Sequence, residues 1–210
     1  ICGISGSSTL KKAYSLYEDN LTRGAFSSGF LAFNAIGNIF IAKQKEKFKY
    51  ENLKRIINTG HGESLYCLFH SRAPTNSKAA WSEETTHPFS FGSYYVAHNG
   101  ILSNFKSFPV SAEFDVDSSI IPYHLTANKG DIKQTFEMYE GLLTCWIYNI
   151  EDNSLQVVKA GSTLYTDGES FSSLPFEGAS DVDDGSVLTL HAYSLHERKK
   201  AFKYESPYEI

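Results

Sequence analysis

Apolar positions at Leu10, Ala13, Leu16, Tyr17 and Leu21 recur at the spacing of one helix face. The surrounding stretch, Ser5 to Gly24, has serines for an N-cap and a closing glycine, so it predicts a helix. Residues 29–44, "GFLAFNAIGNIFIAKQ", predict two strands about a tight turn carrying Asn34 and Gly37. A second helix is predicted over 50–60, closed by Gly60. "ESLYCLFHSRA" (63–73) is a short continuous apolar run that predicts a buried strand ending in a polar cluster. "GSYYVAHNG" (92–100) repeats that design. Residues 117–130 and 131–141 predict two helices, with Pro122 in the first turn of the former. A hairpin across Asp152-Asn153 follows within 142–161, then short strands near Leu164, Phe171 and "GSVLTLHAY" (185–193). This order suggests sheets with helices packed outside, not alternating parallel units.

Composition adds that sheet should dominate: 15 Phe and 13 Tyr stand against one Met. The 210 residues suit one domain, 1–210, with no synthetase domain expected in the chain. A net charge of −5 does not invite a polyanion. The locally basic run Lys43 to Arg55 reads as a solvated face, so no nucleic-acid partner is expected. No stretch approaches a membrane span and no signal peptide is visible. Three cysteines, Cys2, Cys67 and Cys145, form no close pair, which fits a reducing, cytoplasmic setting.

Polar clusters stand at the ends of apolar segments: "ICG", "HSRAPT" (70–75), "AHNG" (97–100) and "FDVDSS" (114–119). Singly, each has a plain explanation. Cys2 would be core filler, Arg72 a surface ion-pair partner, Asn99-Gly100 a hairpin turn and Asp117 a helix cap. Together they form a workable set. A thiol nucleophile needs a base. A chain-terminal cysteine carries one, since its α-amine titrates at about 7.7–8.0 and a free thiol near about 8.5. An Asn side chain beside a Gly N–H suits a developing oxyanion. Arg72 offers a planar fork for an α-carboxylate, and Asp117 an anion for an α-ammonium.

In this combination the sequence resembles a class II glutamine amidotransferase domain of the N-terminal nucleophile hydrolase superfamily. The pieces come in family order: "CGI", "RGAFSSG" (23–29), "HSRAPT", "HPF" at His87, "HNGILSN" (98–104), "DVDSSII" (115–121), "AGSTLY" (160–165) and "GASD" (178–181). The resemblance implies an α+β fold, a four-layer α/β/β/α sandwich of mainly antiparallel sheets. It implies that Cys2 attacks the glutamine side-chain amide, releasing ammonia and leaving a γ-glutamyl thioester. Asn99 and Gly100 would form the oxyanion hole. Arg72, with Thr75 nearby, would hold the carboxylate, and Asp117 the α-amino group. Arg23, His70 and His98 would support them. Glutamine is the implied substrate, with no cofactor. The implied partner is a separate ammonia-accepting protein or a larger assembly.

Three features depart from the family pattern. Phe26 stands where an acidic residue is common, and Ala73, Pro74 and Asn76 follow the key arginine without the aromatic gate many members carry. Ile1 precedes the nucleophile, and while attached it makes the Cys2 nitrogen an amide and not a base. Three readings follow: Ile1 stands for an initiator Met that is removed, a propeptide is cleaved before Cys2, or the cysteine is blocked. The last would make the chain a catalytically silent structural or interaction module. A hydrolase acting on another γ-glutamyl amide would use Arg72 and Asp117 equally well. His61, Cys67, His70, His87 and His98 match no metal-ligand spacing, and no metal is assigned.

Overall fold

The structure is a computed structural model that describes residues 2–60, 65–73 and 81–207. Among these residues the first half of the chain holds β1 (Gly3–Ser7), α1 (Leu10–Asn20), β2 (Ser27–Asn34), β3 (Ile39–Lys45), α2 (Tyr50–Gly60), β4 (Leu65–Arg72), β5 (Phe89–Phe91) and β6 (Tyr94–Leu102). Three short 3-10 turns follow, the last at Asp117–Ser119, and lead into α3 (Ile120–Ala127) and α4 (Ile132–Phe136). The chain closes with β7 (Gly141–Asn149), β8 (Ser154–Lys159), β9 (Tyr165–Thr166), β10 (Phe171–Ser172), β11 (Ser180–Asp181), β12 (Ser186–His191) and β13 (Ser194–Arg198).

The strands form two antiparallel sheets. One runs β11-β9-β10-β1-β4-β2-β3 and the other β13-β12-β8-β7-β6-β5. Alternation along each strand divides its side chains between two cores. Leu31 and Phe33 of β2, Tyr66 and Leu68 of β4, and Trp146 and Tyr148 of β7 point into the space between the sheets. Phe30, Ala32, Cys67 and Phe69 point outward and meet Ala13, Tyr14 and Tyr17 of α1 and Leu53 of α2. On the other sheet Val96, Cys145, Ile147 and Val158 meet Ile120, Ile121 and Leu125 of α3, and Ile132 and Phe136 of α4. Three cores between four layers make the α/β/β/α sandwich. Each large side chain fully buried in them contributes roughly 1.5–3 kcal/mol. The Trp146 indole N–H also donates to the Phe69 carbonyl, 3.1 Å away, and stitches the sheets together.

Three sequence expectations need correction. Ser5 to Ser7 belong to β1, not to the first helix, because β1 is the central strand of its sheet and is buried throughout. The helix starts later, where the Thr9 hydroxyl accepts from the Lys12 N–H. Asn99-Gly100 is neither a turn nor a strand end, since β6 continues to Leu102 in register with β7. The fourth helix is short, ending at Phe136, and β5, β11 and β13 had no clear sequence signal. The β2–β3 turn follows the expected chemistry. Asn34 Oδ1 accepts from the Ile36 and Asn38 N–H groups at 3.2 and 3.0 Å.

Candidate active site

Strand register assembles the site at one end of the sandwich. Gly3 pairs with Ser71, so Cys2, one residue earlier, lies beside Arg72 at the end of β4. Arg72 in turn pairs with Ser27 of β2. Gly3 is glycine because α1 lies against it: an added Cβ would stand 2.5 Å from Asn20 Oδ1 and 2.8 Å from Asn20 Cβ. Cys2 is thus followed immediately by a close packing point.

Burial pushes the Cys2 thiol upward; the Ala73 N–H and the Arg72 charge pull it down, and Asp117 pushes it up. The thiol therefore sits in the field of both groups proposed to grip the substrate. Its carbonyl is held by Arg23, whose Nε donates to Cys2 O at 2.8 Å. Arg23 Nη1 reaches Thr163 Oγ1 at 3.2 Å and Ser173 O at 3.4 Å, joining β1 to the loop after β8 and to the end of β10. Burial lowers the Arg23 pKa, an effect opposed by Cys2 and Tyr165.

Arg72 is anchored through one of its five donors, Nη1, to the Thr85 carbonyl at 2.5 Å. Its guanidinium carbon lies 5.9 Å from the Phe26 ring centroid, within cation–π range. The unexpected Phe26 thus lies against Arg72. Thr75, Pro74 and Asn76, like Ile1 and His61, lie outside the described residues.

On the opposing sheet, Asn99 Nδ2 donates to Ser173 Oγ at 3.2 Å, and the same hydroxyl accepts from the Ile4 N–H at 3.0 Å. Asn99 Oδ1 is buried without a hydrogen-bond partner among the described residues. Gly100 has φ +154°, and a Cβ there would stand 1.7 Å from the Leu142 carbonyl oxygen, so β7 excludes any side chain. Asp117 begins the last 3-10 turn. Its Oδ2 accepts from the Leu102 N–H at 2.8 Å and its Oδ1 from the Ser118 N–H at 2.8 Å.

Beneath these groups lie buried histidines. His70 Nε2 donates to the His98 carbonyl at 3.2 Å, joining the sheets, and its ring lies 3.9 Å from that of His87. Burial lowers the His70 pKa to about 3, and lowers those of His87 and His98 as well. All three are neutral imidazoles at neutral pH. Burial raises the Cys67 thiol to about 12 and Cys145 further still, so both are core hydrophobes. Among the described residues no group of three or more His, Cys, Asp or Glu is placed to hold a metal ion, and no helix is long and apolar enough to cross a membrane.

Ser173, Thr163 and Ser118 were missed by sequence reasoning. Each is an ordinary small polar residue in sequence, and only the meeting of distant strands singles it out. His87 was visible within "HPF" but without a role.

No family model matches the chain, and no curated protein matches it by sequence. Among solved structures it is similar to glutamine phosphoribosylpyrophosphate amidotransferase from B. subtilis, complexed with ADP and GMP. The TM-score is 0.66 at 17% identity, covering 95% of this chain and 49% of that one. It is similar also to a structure described as the allosteric regulatory enzyme of purine biosynthesis, with TM-score 0.68, 17% identity and the same coverages. The chain therefore spans about half the length of these proteins, and at this identity the likeness is one of fold. The sequence resemblance to a class II glutamine amidotransferase domain thus extends to the three-dimensional fold.

Proposed function

We propose that the chain is a single glutaminase domain that hydrolyses the side-chain amide of glutamine through Cys2. The observation that carries this reading is that Cys2 lies beside Arg72 with its thiol in the field of Arg72 and Asp117, while Asn99 reaches Ser173, which also binds Ile4 two residues after Cys2. Arg72 holds the substrate carboxylate and Asp117 its ammonium, with Thr75 a further substrate-binding residue. The Cys2 amine takes the thiol proton as sulfur bonds to the amide carbon. The Asn99 side chain and the Gly100 N–H receive the oxyanion. The C–N bond then breaks, and the proton leaves with nitrogen as ammonia. Water cleaves the thioester to glutamate and restores the thiol. This sequence requires a free Cys2 amine, and hence removal of Ile1.

The ammonia passes to an acceptor in a separate protein or larger assembly. The similar solved structures are about twice this length, and one is named an amidotransferase, which supports the ammonia's use outside the matched region. The test is incubation of protein beginning at Cys2 with glutamine. Glutamate and ammonia should appear in equal amounts and vanish with Cys2→Ala. No release from a folded protein with a verified free Cys2 sinks the reading.

A further inference from the structure

The 3-10 turn that carries Asp117 is tied to β6 twice: the Leu102 N–H donates to Asp117 Oδ2, and the Ser118 hydroxyl meets the His98 ring. Ser118 Oγ lies 2.8 Å from His98 Nδ1 and 3.2 Å from Asp117 Oδ1. His98 Nε2 lies 2.8 Å from the Leu142 carbonyl. A carbonyl oxygen only accepts, so Nε2 carries the ring proton. In the neutral ring Nδ1 is then an acceptor, and the Ser118 hydroxyl is the group that donates to it. That hydroxyl has one hydrogen. Given to His98, it is withheld from Asp117 Oδ1, which keeps only the Ser118 N–H, while Oδ2 keeps the Leu102 N–H. Each carboxylate oxygen retains acceptor capacity for a ligand ammonium.

From this we propose that Ser118, through its bond to His98, is a positioning and specificity-determining residue for the α-ammonium of the substrate. It fixes the Asp117 turn against β6 and directs its own proton away from the carboxylate. His98 is the hub: it sits next to Asn99-Gly100 in sequence, and the Leu142 carbonyl that it holds is the atom excluding a side chain at Gly100. The ammonium grip and the oxyanion strand are thus registered by one buried imidazole. The inference rests on the glutaminase reading and adds to it a residue that touches no substrate atom.

The test compares glutamine with glutaramate, the same amide without the α-amino group. Ser118→Ala should raise KM for glutamine about three- to tenfold, the loss of one hydrogen bond's worth of positioning. KM for glutaramate should stay within about twofold, since the lost contact serves only the ammonium. Ser118→Thr, which keeps the hydroxyl, should restore the glutamine value. If Ser118→Ala does not fold, Ser118→Cys, a poor donor of similar size, is measured in its place with the same expectation. Equal KM changes for both substrates, or a change in kcat alone, overturns the positioning role while leaving the glutaminase reading intact. Wild-type protein with a free Cys2 that is inactive on both substrates overturns that reading and this inference with it.

Discussion

Asn99 and Ser173 meet across the two sheets, with Asn99 Nδ2 3.2 Å from Ser173 Oγ, while Asn99 Oδ1 is buried and unpartnered among the described residues. Ser173 already accepts from the Ile4 N–H, one strand residue from Gly3, the neighbour of Cys2. A single hydroxyl therefore joins the strand that carries the thiol to the amide proposed to bind the oxyanion. Rotating the Asn99 amide by half a turn would let Ser173 donate to Oδ1 and leave Nδ2 free to donate to the reacting oxygen.

Asn99→Ala should lower kcat by about 10²–10³-fold with little change in KM, as removal of an oxyanion donor does. Ser173→Ala should lower kcat by about tenfold, since the donor remains but is no longer held. Steady-state kinetics on glutamine check both. An effect confined to KM would place Asn99 in substrate binding instead.

Arg72→Lys should raise KM for glutamine about ten- to a hundredfold. Lysine keeps the charge but loses the planar fork that both grips a carboxylate and reaches the Thr85 carbonyl. Unchanged KM would show that the carboxylate is bound elsewhere.

Acid should unfold the protein at mildly low pH. His70, His87 and His98 have folded pKa values below the ordinary histidine value, because burial disfavours their charged forms. The unfolded chain therefore binds more protons as pH falls. Their contribution to stability is complete above about 6.5 and declines below it, for His70 down to about 3. The decline is about 1.4 kcal/mol per pH unit for each proton taken up only by the unfolded chain. Denaturant unfolding at pH 7, 6 and 5 checks this, and the loss should shrink in His87→Gln. A flat profile between pH 7 and 5 would contradict it.

Leu31→Ala should destabilise the fold by about 2–5 kcal/mol, because Leu31 is fully buried between the sheets. Urea unfolding measures it. A loss below about 1 kcal/mol would mean that the central core tolerates the cavity.

Much of this architecture was legible in the sequence. Periodicity marked α2, the β2–β3 hairpin and the β7–β8 hairpin, because each is decided by local pattern and turn residues such as Asn34 and Asn153. The boundary at Ser5 to Ser7 was not legible. Those serines look like helix caps until pairing with β4 and β10 claims them for a central strand. Cys2, Arg72, Asn99, Gly100 and Asp117 were legible as chemically unusual residues in a family order. Their supports were not. Ser173 and Ser118 differ from other serines only by what distant strands bring to them, and Phe26 acquires meaning only beside Arg72.

In the proposed mechanism the Cys2 amine activates its own thiol. The most direct test is ammonia release from glutamine by two otherwise identical proteins, one beginning at Cys2 and one retaining Ile1. Release is expected from the first, at a rate at least about 10²-fold above that of the second, the scale of a lost general base. Equal rates would show that another group takes the thiol proton, and release by neither would remove Cys2 from the chemistry.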